Sequence, residues 1–163
     1  MSCRIVRSDR YDDAKWVHDN LYAYNLEKTG EPRQEIILAQ DPGRKTFLAV
    51  DEAGERLGGC CWHVRREKQY LFIDLLWMSD AARGTGGGSA LIRAVEAQAR
   101  ELNCLGIELG TNTFQSPGFY QKMGFLPVGE KKFPVRNFCF NKVHLSYKTC
   151  NKNIFRIIIY FFR

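Results

Sequence analysis

The sequence predicts a single domain of mixed α/β (α+β) class, and three observations carry that expectation. A length of 163 residues with 45% hydrophobic composition suffices for one well-filled core and falls short of two. Helical and strand-like stretches alternate with no internal repeat and no Ser- or Pro-rich linker. A glycine-dense loop, Arg83 to Gly88 (RGTGGG), stands directly ahead of a long helical pattern.

Taken in order, Ala14, Val17, Leu21 and Tyr24 recur at helical spacing from Tyr11 to about Lys28, and Asp12 and Asp13 suit the positive end of that helix. A short helical segment follows at Gln34–Ala39, then a turn at QDPGRK. TFLAVD, DEAGE and RLGGCCWHVRRE read as strand, tight turn and strand, and QYLFIDLLWM from Gln69 to Met78 is a third antiparallel strand. Beyond the glycine loop, Leu91, Val95, Ala99 and Leu102 mark the buried stripe of a helix. LGIELGT is a short apolar strand, SPGFYQKMG a short helix closed by Gly124, and FLPVGE and FCFNKVHLSYK are two further strands. The domain therefore spans residues 1–148. Residues 149–163 form a compositionally distinct tail in which Ile157 to Phe162 are consecutive apolar residues between Arg156 and Arg163. That run is far too short to span a bilayer and high in β-propensity, so it reads as an accessory segment needing cover, from a sheet edge, a homodimer contact or a membrane surface.

Composition excludes several classes. The six cysteines show no C-x-x-C spacing, and Cys60 and Cys61 point to opposite faces of a strand, so neither a zinc framework nor a disulfide framework is expected. With three scattered histidines, the thiols read as reduced and structural, with no metal site, in a cytoplasmic protein. No leader pattern opens the chain, and no stretch approaches the ~18 apolar residues of a membrane helix. The formal charge of +6 comes from scattered Lys and Arg with no RNA-binding aromatic motif, so a nucleic-acid partner is not expected.

The glycine loop fails two phosphate signatures. A P-loop needs a lysine after its last glycine, where Ser89 stands. A dinucleotide fingerprint starting at Gly84 meets Ser89 in place of its last glycine, and it follows antiparallel strands. Two physical readings remain: backbone N–H groups of Gly84 and Gly86 to Ser89 at a helix start, suited to a pyrophosphate without metal or lysine, or a turn that only permits close packing. Arg83 to Gly88 resembles the Q/R-x-x-G-x-G/A acyl-CoA motif of the GNAT superfamily of N-acetyltransferases, and PGFYQKMGF resembles that family's F-Y-x-K-x-G-F signature. The two occur in the family's order, separated by one helix and one strand, and the resemblance covers roughly Val6 to Tyr147.

The resemblance implies a central mixed, mostly antiparallel sheet flanked by helices, acetyl-CoA as acyl donor, and the primary amine of a small molecule or peptide as acceptor. It assigns Tyr120 as the acid that protonates the coenzyme sulfur, a sensible role for a phenol with a pKa of about 10, the alternative being a core aromatic. It places the coenzyme on Leu76, Met78, Arg83, Gly84, Thr85, Gly86, Gly87, Gly88, Ser89, Asn112, Gln115, Phe119 and Lys122. Leu76 and Met78 act there through backbone groups of a strand end that splays from its neighbour. One departure is Thr113, where many members carry an asparagine, with Asn112 or Gln115 left to compensate. Arg93 reads as an ordinary exposed helix residue.

From the residues themselves, Asp74 is the leading candidate for the base. Positions 72, 74, 76 and 78 share one face of a regular strand, and apolar Phe72, Leu76 and Met78 would suit a carboxylate to taking a proton near neutral pH. The alternatives are that Asp74 faces solvent or pairs with a neighbouring strand's arginine, with Glu108 a weaker candidate base. The acceptor surface is expected from the first helix, the Arg33–Ile36 loop and the C-terminal strands, with Tyr22, Tyr24, Trp62, Trp77 and Phe114 as aromatic-wall candidates. A non-catalytic acyl-CoA-binding or sensor module is the alternative class, and the intact Tyr120 favours the enzyme.

Overall fold

The computed structural model describes residues 3–30, 43–65, 67, 69–135 and 138–148, with the backbone alone for 133–135 and 138–143. The segment expected as a helix at Gln34–Ala39, the Arg33–Ile36 loop and the tail 149–163 lie outside the described residues.

The elements run β1 (Arg4–Ser8), α1 (Tyr11–Thr29), β2 (Lys45–Val50), β3 (Arg56–Arg65), β4 (Tyr70–Met78), a single 3-10 turn at Asp80–Ala82, α2 (Gly87–Glu101), β5 (Gly106–Asn112), α3 (Pro117–Lys122), β6 (Leu126–Val135) and β7 (Phe138–Lys148). The strands form one sheet in the order β1-β2-β3-β4-β5-β7-β6. Every pairing is antiparallel except β4 with β5, where α2 is the crossover. The expected mixed, mostly antiparallel sheet is therefore present. β1, which the sequence reading passed over, is a short partly exposed edge strand of two arginines and a serine around Ile5 and Val6, too brief to show a pattern.

Two cores lie on the two faces of this sheet. On one, α2 buries Leu91, Ile92, Val95 and Ala99 against Phe47, Cys60, Leu71, Ile73 and Ile107. Each of the larger of these side chains contributes roughly 1.5–3 kcal/mol by leaving water. Leu102, expected in that stripe, is instead the C-cap residue and 47% exposed, because the helical spacing ends at Glu101. On the other face, α1 buries Ala14 and Val17 against Leu48, Cys61 and Leu75. Asp13 anchors the start of α1 by accepting from the Ser8 hydroxyl and pairing with Arg56 at 3.3 Å. α1 ends at Gly30, whose left-handed φ of 67° lets its N–H reach the Leu26 carbonyl at 2.8 Å. The adjacent Cys60 and Cys61 are both buried and belong to opposite cores, as a strand requires.

Candidate active site

The sheet opens at its centre. The β4–β5 ladder runs from Tyr70↔Gly106 to Ile73↔Leu109 and stops there, although β4 continues to Met78 and β5 to Asn112. β5 stays bonded to β7 through Asn112, so the two halves of the sheet diverge beyond Ile73. The backbone edge of β4 from Asp74 to Met78 is left without a strand on that side. A bulge occurs at the same point: Ile73 pairs with Trp62 and Leu75 with Cys61, so Asp74 is the extra residue. A cleft of about 580 Å³ fills the opening, walled by α1, the end of β4, the glycine loop, the end of β5 and α3.

The bulge corrects the reading of Asp74. In a regular strand it would share a face with Leu76 and Met78, but the extra residue reverses the alternation. Ile73, Leu76 and Met78 belong to the α2-side core, while Leu75 and Trp77 pack on the α1 side. Asp74 follows Phe72 onto the α1 face, where its surroundings are polar: its Oδ2 accepts from His63 Nδ1 at 2.8 Å and from Arg44 Nε at 3.3 Å. An arginine does pair with it, but not one on a neighbouring strand: Arg44 stands just before β2, which β3 separates from β4, and Asp74 still lines the cleft. Glu108 does not line it and sits 3.6 Å from Arg65.

The glycine loop behaves as its composition requires. Gly84 and Gly86 have φ of 77° and 93°, and no atom lies within 4 Å of a Cβ built on either, so conformation rather than crowding demands glycine there. Gly86 is the N-cap of α2, and no side chain caps the helix. The first intrahelical bond runs from Ala90 N–H to Gly86 O at 2.9 Å, which leaves Gly87, Gly88 and Ser89 N–H without intrahelical acceptors at the positive end of the dipole. Gly84, Gly86, Gly88 and Ser89 line the cleft; Thr85, whose hydroxyl donates to Ala82 O at 2.7 Å, and the buried Gly87 do not. Arg83 lines the cleft with its guanidinium committed locally: Nε donates to Met78 O at 3.2 Å, Nη1 pairs with Asp80, and the group lies 4.8 Å from the centre of the Tyr24 ring. It ties the loop to α1. Lys122, expected near the phosphates, is exposed at the far end of α3 and outside the cleft wall, and Arg93 is exposed as expected.

On the opposite wall, Gln115 Oε1 accepts from Asn112 N–H at 3.0 Å, Asn112 Nδ2 at 3.2 Å and Thr111 Oγ1 at 3.4 Å, and Gln115 Nε2 donates to Asn25 Oδ1 at 2.8 Å. The β5 end is thereby joined to α1, and Asn112 and Gln115 both line the cleft. Thr113 is exposed and outside the wall. Tyr120 is 8% exposed, packed edge-on between Phe119 and Phe125, and lines the cleft with Phe119. Burial, with the nearby Cys60 adding to it, pushes its phenol well above the ordinary value, so it stays protonated throughout the neutral range.

Of the aromatic-wall candidates, Tyr22, Tyr24 and Trp77 line the cleft; Phe114 does not, and Trp62 is core, 3% exposed and packed on Phe47. Sequence reasoning missed His18 and Asn25, which line the cleft with Leu21 and Tyr22, and His63, which holds Asp74. The spacing 18, 21, 22, 25 is one helical face, a signal present in the sequence. His63 gave no such signal, since its partner lies on another strand.

A model of the acetyltransferase (GNAT) family matches residues 11–125, most of the chain. The chain belongs to the GNAT family. A blasticidin-S acetyltransferase from Streptomyces morookaense is 49% identical over 78 residues, which make up 47% of this chain and 56% of that protein, so the chain spans little more than half of this relative. Acetyltransferase Atu2258 of Agrobacterium fabrum is 29% identical over 115 residues, 71% of this chain and 77% of that one. A nourseothricin acetyltransferase structure superposes with a TM-score of 0.67 at 18% identity, covering 92% of this chain and all of that one, a likeness of fold. As a GNAT member the chain carries both motif segments where the resemblance located them, one at the start of α2 and one on α3. Among the described residues no group of His, Cys, Asp and Glu is arranged to hold a metal ion, and no helix is long and apolar enough to cross a membrane.

Proposed function

We propose that this GNAT protein transfers an acetyl group from acetyl-CoA to a primary amine of a small molecule. The observation that carries the reading is the opened β4–β5 edge with a protonated tyrosine inside the same cleft. The substrate thioester brings a polyanionic end, an amide-rich arm and a carbonyl, and each finds a matching group here. The N–H groups of Gly88 and Ser89, which line the cleft, suit the pyrophosphate. The unpaired edge from Asp74 to Met78 suits the arm, with Leu76 and Met78 offering backbone groups, one of them an N–H suited to polarising the carbonyl. Asn112, Gln115 and Phe119 close the other side.

Acceptor amine enters from the α1 side, gives up a proton to Asp74 or to water, and attacks the thioester carbon. The tetrahedral adduct then collapses as the C–S bond breaks: Tyr120 donates its proton to the departing sulfur, and the second proton of the adduct's nitrogen leaves to water and restores the phenol, so that neutral amide and coenzyme A thiol result. Holding amine and thioester together contributes up to about 7–11 kcal/mol, and one well-placed acid about 10²–10⁴ in rate. The blasticidin-S relative supports a small-molecule acceptor over a protein one. A solved protein described as a streptothricin acetyltransferase from Bacillus anthracis, 21% identical, with a TM-score of 0.58 and coverage of 68% of this chain and 65% of that one, holds acetyl coenzyme A. The test is thiol release from acetyl-CoA with a panel of amines that includes blasticidin S, polyamines, aminoglycosides and lysine peptides. Turnover of a small-molecule amine is expected; acetyl-CoA binding without turnover of any amine would leave an acyl-CoA-binding module.

A further inference from the structure

We propose that His63 is a positioning residue for the acceptor: with Arg44 it locks one oxygen of the Asp74 carboxylate and leaves the other as the docking point for a cationic amine. The inference rests on the acetyltransferase reading and deepens it. Both contacts to Asp74 fall on the same atom, Oδ2, at 2.8 Å from His63 Nδ1 and 3.3 Å from Arg44 Nε, and Oδ1 carries no bond among the described residues. A carboxylate held at one oxygen by two groups from different parts of the chain cannot rotate without breaking both. Its free oxygen then has a fixed direction.

The bulge supplies the placement. Because Asp74 is the extra residue of β4, it stands where the strand leaves β5, on the face that Leu75 and Trp77 share with α1. His63 follows Cys61 onto that same face of β3 and rests on the Phe72 ring, 5.6 Å between centres, which fixes its imidazole. For Nδ1 to donate, the ring carries its proton there, and Nε2 is the acceptor when the ring is neutral. His63 does not itself line the cleft, so it acts on the acceptor through Asp74. An ammonium docked on Oδ1 would be desolvated beside Tyr22 and His18 of α1, which also line the cleft. It would lose its proton to the carboxylate that holds it: the N–H bond breaks, an O–H bond forms on Asp74, and the freed lone pair attacks the thioester.

The experiment compares His63→Phe and His63→Asn in the full chain, with the panel amine that the wild type acetylates most efficiently. Phenylalanine keeps the ring against Phe72 and removes the donor. Asparagine keeps a donor nitrogen bonded to Cγ, as Nδ1 is, and removes the ring. H63F should raise KM for the amine about tenfold with the acetyl-CoA Kd unchanged by calorimetry, and H63N should return KM to within about threefold of wild type. An unaltered amine KM in folded H63F, H63N as impaired as H63F, or loss of acetyl-CoA affinity in either variant overturns the proposal. A second readout needs no turnover: the ring nitrogen resonances of His63 in the wild type should show the Nδ1–H tautomer and shift in Asp74→Asn. An Nε2–H tautomer, or a spectrum indifferent to D74N, overturns it as well. If no amine is acetylated, the proposed function fails, and the ring spectrum still decides the His63–Asp74 contact.

Discussion

Replacing Gly59 by alanine tests how α1 is seated and, through it, how the acceptor wall is placed. A Cβ at residue 59 would lie 2.5 Å from Val17 Cγ2, 3.1 Å from Leu48 Cδ2 and 3.1 Å from the Phe47 carbonyl oxygen. Carbon atoms pack at about 3.5–4.0 Å, so Val17, which is fully buried, must retreat by about 1 Å and take the helix with it. Overpacking of this size costs about 1–3 kcal/mol, which for a chain of this length lowers Tm by about 2–12 °C. The same retreat carries His18, Leu21, Tyr22 and Asn25 away from the cleft, and a misplacement of ~1 Å can cost as much as ~100-fold in rate. The three nearest contacts of the added Cβ are with α1 and β2, not with α2 or the glycine loop, so acetyl-CoA affinity should hold while KM for the amine rises. Calorimetric melting and steady-state kinetics measure both halves. Val17→Ala supplies the control: the double variant should be more stable than the sum of the single losses implies, by about 1 kcal/mol. Strictly additive losses, or a G59A protein that melts and binds amine like the wild type, would refute the account of this contact.

Tyr120→Phe should keep acetyl-CoA binding and lower kcat by about 10²–10⁴, and wild-type turnover across the pH range would make Tyr120 a packing residue. Gly86→Val should weaken acetyl-CoA binding by straining a backbone at φ 93°, at a cost of about 1–3 kcal/mol, and Gly88→Val by adding methyls beyond a Cβ that would lie 3.5 Å from the Phe119 ring and 3.8 Å from Met78, within the cleft wall; calorimetry on the folded variants checks both. Burial raises the Cys61 thiol from 9.0 to about 11, so the folded state holds its proton more tightly than the unfolded chain does. Its contribution to stability is therefore complete below pH 9 and lost as pH rises from about 9 to about 11; urea midpoints across that window should fall less steeply in Cys61→Ala. Truncation after Lys148 should leave acetyl-CoA binding intact in a soluble protein, and loss of that binding in a folded truncation would show that residues 149–163 complete the site.

The elements and the conformation of the glycine loop were legible because their signals are local. Amphipathic spacing wrote α2, a few apolar residues at helical spacing marked α1, of which Ala14 and Val17 are buried, turn residues bounded β2 to β4, and the glycines of the loop stand where φ of 77° and 93° admit little else. Tyr120 and Phe119 on one motif and Gly88 and Ser89 on the other were picked out for the same reason, and the structure sets all four around the cleft. Asp74 shows where locality ends. Its chemistry is visible in LFIDLLWM, but the face it occupies depends on a bulge, and a bulge is a property of the pairing between β4 and β3, in which Ile73 and Leu75 take Trp62 and Cys61 as consecutive partners. One extra residue reversed the alternation that the strand pattern implied, so Asp74 met His63 and Arg44 instead of Leu76 and Met78. The gap between β4 and β5, the link from Gln115 to Asn25 and the seat of Arg83 on Tyr24 have the same origin. Each joins residues far apart in the chain, and side-chain type constrains such pairs only after the sheet and α1 have fixed their distance and direction.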